Sequence, residues 1–175
     1  QDNILEVFGA EVFGLTVKET TRFQPTWGGG VLIGMMLMGL LSVLMTISKK
    51  KIALVGSVGT AIGMGVLALA ALLHLQVLVS PALLIMGLFT GFFNVGALSL
   101  MMDMTIEGAT GLYMGLRGVA QAFGTGIASV GSGALHTSLI ETGMLPSGLA
   151  YGFVFGLEGI GMLVATAILA QLSVE

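Results

Sequence analysis

Cysteine is absent from this sequence, which excludes disulfides, thiolate zinc sites and cysteine-ligated iron–sulfur clusters. Charge is scarce. Six basic and nine acidic residues among 175 leave 9% of the side chains charged and a net charge of -3. A chain without a basic field offers nucleic acid nothing to hold. No catalytic triad, metal-ligand spacing or phosphate-cradling glycine loop is present, so no enzyme is expected. A secretory leader is missing as well. The chain opens on Gln1 and Asp2 without methionine or a basic stretch, and reads as starting partway through a longer protein.

What the sequence does have is apolar length. It is 55% hydrophobic with a mean hydropathy of +1.04, more than a water-soluble domain of this size could hide. The expected fold is an all-α integral membrane protein, a polytopic helix bundle set in the lipid bilayer. Apolar segments at about 27–47, 52–73, 81–102, 112–135 and 150–172 are each long enough to cross a ~30 Å hydrocarbon core, which takes roughly 20 helical residues. No alternating pattern of barrel strands runs through them. Lys49, Lys50 and Lys51 fill the short connection between the first two spans and place it on the cytoplasmic side. Alternation then puts 74–80 and 136–149 outside, and 103–111 inside with the C-terminus. Residues 1–26 are mixed in polarity and form an interfacial segment: the end of a preceding helix and an outer loop. Thr16 and Glu19 have capping-box spacing, predicting a helix from about Val17 that Pro25 kinks.

Glycine is abundant, with 28 residues, many of them four apart. Gly87 and Gly91, Gly111 and Gly115, and Gly152 and Gly156 are expected to let helix backbones approach closely.

The polar residues are few enough to weigh singly. Arg117 lies about 7–8 Å inside the fourth span. It either snorkels to the headgroups and pairs with Asp103 or Glu107, or belongs to an internal polar cavity. Gln121 is one turn further along the same face. Glu158, about 12 Å inside the fifth span, is near the midplane, where a carboxylate must be protonated, paired or hydrated. Arg117 and Glu158 differ in depth by roughly 10 Å, so only an extended arginine would join them. Asn94 reads as interhelical glue. His74 and His136 stand at outer helix ends. A neutral imidazole there could ligate the magnesium of a chlorophyll, or simply be hydrated. Twelve methionines read as flexible apolar filler.

Three segments carry a family resemblance: "QDNILEVFGAEVFGLTVKETTRFQPTWGGGVLIGMM", "DMTIEGATGLYMGLRGVAQAFGTG" and "GALHTSLIETG". They resemble the C-terminal half of the PucC/LhaA family, the bacteriochlorophyll-delivery branch of the major facilitator superfamily, with wording closer to its cyanobacterial members. The resemblance implies that the five spans are the eighth to twelfth helices of a twelve-helix fold, with an N-terminal half outside this sequence. It implies assembly of light-harvesting or photosystem pigment–protein complexes in a photosynthetic membrane (thylakoid or bacterial inner or intracytoplasmic), with handling of chlorophyll or bacteriochlorophyll. It points to Asp103, Glu107, Tyr113, Arg117 and Gln121, with Gln1, Asp2 and Glu6 at the start. Two other functions compete with it: half of a secondary transporter, or a purely structural membrane subunit.

Overall fold

The computed structural model describes residues 2–44, 47–103, 105, 109–141 and 146–171; the side chains of 2–4, 135–137 and 139–141 also lie outside the description. Every regular element described is helical: α1 (Asp2–Phe13), α2 (Val17–Thr20), α3 (Phe23–Leu44), α4 (Lys49–Leu73), a 3-10 turn (Gln76–Leu78), α5 (Val79–Asp103), α6 (Thr110–Glu141) and α7 (Ser147–Gln171).

The capping box forms. The Thr16 backbone N–H and hydroxyl both donate to the Glu19 carboxylate, at 2.9 and 2.8 Å. The helix it starts leads into the first span, the two making one stretch, Val17–Leu44, with a break of two residues between them. It stops at Thr20, and α3 begins anew at Phe23. Pro25 lies in the first turn of α3, where a missing N–H costs nothing; deeper in one continuous helix it would clash with the turn before it. Upstream, Gly14 (φ +64°) turns the chain out of α1 in a conformation that glycine adopts without strain.

Glycines lock the centre together. A Cβ on Gly30 would stand 2.8 Å from the Leu84 carbonyl oxygen, and one on Gly34 would strike the Leu88 carbonyl. On the facing helix, Gly87 meets the Trp27 carbonyl and Gly91 that of Val31. Numbers rise together along this seam, so α3 and α5 run parallel. Between α4 and α5 they run in opposition: Gly56 meets Phe93, and Gly63 meets Met86. Thr60 and Thr90 share a hydrogen bond across that seam, 3.3 Å. On the far side of α4, Gly159 approaches Ala61 and Gly152 takes the Leu72 side chain. The central helix is therefore α4. Of its most apolar stretch 61% is buried, against 22% for α3 and α7.

Four stretches are long and apolar enough to cross a membrane: Val17–Leu44, Lys49–Leu73, Gln76–Asp103 and Ser147–Gln171. The fifth expected segment differs. α6 has 32 residues, about 48 Å of helix, but Arg117, Gln121 and its glycines and serines dilute its apolar character. It extends to Glu141, so the outer connection expected from His136 starts later than the sequence reading has it, and His136 lies within the helix. α6 also stands off from the bundle. Nothing lies within 4 Å of where a Cβ would be on Gly111, Gly115, Gly118, Gly124, Gly126, Gly131 or Gly133. Among the described residues nothing fills the side of Gly111, Gly115 or Gly156 that a Cβ would occupy.

Candidate functional site

Polar chemistry gathers at the two ends of the bundle and along α6. At one end, α4 begins with three lysines beside the positive pole of its own dipole, an unfavourable place for cations. Lys49 Nζ donates to Asp103 Oδ1 at the end of α5, 2.5 Å. Lys50 Nζ donates to the Ala170 carbonyl, 2.8 Å, one of the last-turn carbonyls that α7 leaves without a helical partner. Two lysines therefore tie the start of α4 to the ends of α5 and α7. Asp103, one of the partners the sequence left open to Arg117, pairs with Lys49, because antiparallel packing puts the two ends side by side. Glu107, the other expected partner, and Gln1 lie outside the described residues, as do the side chains of Asp2 and His136.

At the opposite end the chain leaves α4 through His74, whose left-handed conformation (φ 52°) lets the Leu75 N–H reach the Ala70 carbonyl, 3.0 Å. The imidazole lies over Gly148 at the start of α7; a Cβ there would be 2.7 Å from Cε1 and 3.0 Å from Nε2. That edge of the ring lies close to the Gly148 backbone. His74 is otherwise exposed. An open apolar groove of about 460 Å³ runs on from this corner, lined by Leu72, Leu149, Gly152, Phe153 and Gly156 among others.

The same end holds contacts that the sequence does not announce. The Tyr151 hydroxyl donates to Glu11 Oε2, 3.0 Å, and Ser147 Oγ donates to the Glu11 carbonyl, 3.4 Å. Phe8, wholly buried, meets Phe13, Tyr151 and Phe155 at ring-centroid distances of 5.3, 5.3 and 5.1 Å. These partners are up to 147 residues apart, Phe8 from Phe155, beyond the reach of any local pattern. Trp27 Nε1 is buried without a hydrogen-bond partner among the described residues, and the structure offers no reason for it.

The remaining candidates do not converge. Tyr113 and Arg117 are half-buried and Gln121 exposed on α6, and Glu158 is half-buried on α7. No salt bridge joins Arg117 to Glu158 among the described residues. Asn94 is half-buried on α5. The described residues hold no group of three or more metal-ligating side chains.

Helices of this length and apolar character, packed through glycine, define a polytopic helical membrane protein. All 175 residues match the family described as PUCC protein, and the chain belongs to that family. It is 37% identical over 171 residues to the "Bacteriochlorophyll synthase 44.5 kDa chain" of Rhodobacter capsulatus, covering 94% of this chain and 39% of that protein. It is 31% identical over 171 residues to "Protein PucC" of Cereibacter sphaeroides, covering 95% and 37%. A third relative, an "Uncharacterized protein in puhA-bchM intergenic region" of Rhodobacter capsulatus, is 31% identical over 140 residues, 77% of this chain and 28% of that one. The chain thus spans about two-fifths of the length of the first two. No solved structure matches it.

Proposed function

We propose that this chain is the membrane bundle of a non-enzymatic assembly factor for light-harvesting or photosystem complexes, working in a photosynthetic membrane with chlorophyll or bacteriochlorophyll as its cargo. The observation that carries this reading is membership of the PUCC family along the whole chain, together with a relative whose name contains bacteriochlorophyll. The fold agrees with it in kind. A glycine-locked bundle is a rigid wall with broad apolar outer faces, suited to sit against other membrane proteins in lipid. Cargo would be met in passing, by apolar surface and by whatever the rest of the protein adds.

The test is deletion of the gene in the host, paired with gentle detergent purification of the tagged full-length protein. Loss of assembled antenna or photosystem complexes, with those proteins or their pigment in the purified fraction, is the expected result. Normal pigment–protein complexes in the deletion strain, and a purified protein free of pigment and partners, would remove this reading. If complexes were lost but only structural contacts could be traced, the purely structural role would stand in its place.

A further inference from the structure

We propose that His74 and the apolar groove beside it form an entry site for a magnesium tetrapyrrole with a long apolar tail, the imidazole taking the open axial position of the metal and the groove taking the tail. The identity of the ligand rests on the pigment cargo proposed for this protein; the place where it is met comes from the chain's own residues.

The imidazole stands out first by its isolation. Between Lys51 and Asp103 the sequence has no lysine, arginine, aspartate, glutamate or tyrosine, and His74 is the one titratable side chain there. It directly follows Leu73, the last residue of the α4 span, so it lies at the membrane boundary. Its left-handed backbone, held by the Leu75 N–H on the Ala70 carbonyl, fixes where the ring emerges. His74 is exposed, and its ring nitrogens make no hydrogen bond or ion pair among the described residues.

What such a nitrogen can hold is narrow. A bare metal ion takes several protein ligands, and the described residues hold no group of three or more. A phosphate or carboxylate head would call for a lysine or arginine, and the sequence has neither from 72 to 80 nor from 147 to 160. Glu11, which reaches this end, already accepts the Tyr151 hydroxyl. A metal carried in the plane of a tetrapyrrole is different. Its charge is balanced by the macrocycle, and one neutral imidazole completes it from the side.

The surroundings match both parts of such a molecule. Just past the imidazole, Leu75 and Val77 are 45% and 85% exposed, an apolar shelf at the membrane boundary for the face of a flat ring. Into the membrane runs the groove of about 460 Å³, lined by Leu72, Gly152, Phe153, Gly156 and Ile160 among others. That volume falls within the range of about 300–1,000 Å³ usual for small-molecule sites. From Leu149 to Ile160 the groove follows α7 for about 16 Å, the direction in which a tail hangs from a head at the surface. Gly148, one residue before the groove, lies against the imidazole, so the two parts of the site are continuous. Lipid competes for the tail, which makes the groove's hold weaker than the ligation.

Full-length protein in phospholipid nanodiscs is titrated with bacteriochlorophyll a, with the same pigment stripped of magnesium, and with the same pigment lacking its tail, each against empty nanodiscs. Binding is read from the coordination-sensitive absorption bands of the pigment and from its retention with the protein on gel filtration. The unaltered protein is expected to bind the magnesium pigment about tenfold more tightly than the metal-free one. His74→Gly keeps the left-handed turn, which glycine adopts without strain, and should erase that preference. Gly156→Leu adds a side chain where nothing lies within 4 Å of its Cβ. It should weaken the tailed pigment by about threefold and leave the tail-less one unchanged. Equal binding of the magnesium and metal-free pigments by the unaltered protein overturns the site, whether or not the variants fold. So does an undiminished magnesium preference in His74→Gly, which would put the metal on another ligand, and so does binding no greater than that of empty nanodiscs. An equal effect of Gly156→Leu on the tailed and tail-less pigments overturns the groove's part. Each of these results leaves the assembly role standing if the deletion strain still lacks its complexes, whereas normal complexes in that strain would remove the role and not the site.

Discussion

The α3–α5 seam makes a prediction sharp enough to break the packing account. A methyl group added at Gly91 would stand 2.8 Å from the Met35 nitrogen and 3.0 Å from the Gly34 carbonyl carbon, and closer still to the Val31 carbonyl oxygen. All three neighbours are backbone, so no side chain can swing aside. α3 must recede by about 1 Å, which forfeits roughly half the dispersion attraction of each facing atom pair. Overpacking of this kind costs about 1–3 kcal/mol. Gly91→Ala is therefore expected to destabilise by about 2 kcal/mol, and Gly34→Ala, aimed at the Leu88 carbonyl, by a similar amount. Gly115→Ala is the control, because nothing lies within 4 Å of its added methyl. It should be neutral or stabilise by up to about 1 kcal/mol through helix propensity. Titration of the protein from mild detergent into dodecyl sulfate reads all three variants. The single tryptophan, Trp27, reports from within the seam, since its own carbonyl packs on Gly87. If Gly91→Ala unfolds at the same or a higher denaturant fraction than Gly115→Ala, close backbone approach does not hold this seam, and the reasoning fails.

Two other substitutions separate strong contacts from weak ones. Phe8→Ala empties the centre of the aromatic cluster and should cost about 3–5 kcal/mol in the same titration; a loss under about 1 kcal/mol would mean that α1 contributes little to the fold. Lys49→Ala removes an ion pair whose side chains are 46% and 48% exposed, so it should cost less than about 1 kcal/mol, and high salt should abolish the difference.

Much of this architecture is legible in local sequence because the bilayer imposes it locally. A helix must satisfy its own backbone in lipid, and a run of about 20 apolar residues does so wherever it lands. That is why α4, α5 and α7 start and stop within a few residues of the apolar runs that predict them. The Thr16–Glu19 box was readable for the same reason, being an interaction across three residues. Pro25 was harder: a proline mid-run reads as a kink, but a fresh helix start at Phe23 turns it into a first-turn residue.

Which side chains meet is another matter. The spacing of Gly87 and Gly91 is the same as that of Gly111 and Gly115, yet the first pair is filled by backbone and the second is open. Spacing records the capacity for close approach; a partner is needed to use it. Asp103 was equally available to Arg117 and Lys49 in sequence, and antiparallel packing of α4 against α5 gave it to Lys49. His74 stands alone at a helix end in the sequence, and the fold brings the start of α7 against one edge of its ring. From the chain alone came the membrane, the helices and the stock of glycines and polar residues. The tertiary structure decided which glycines are contacts, which charges are paired and which helix packs least closely, because those depend on elements brought together from as far as 147 residues apart.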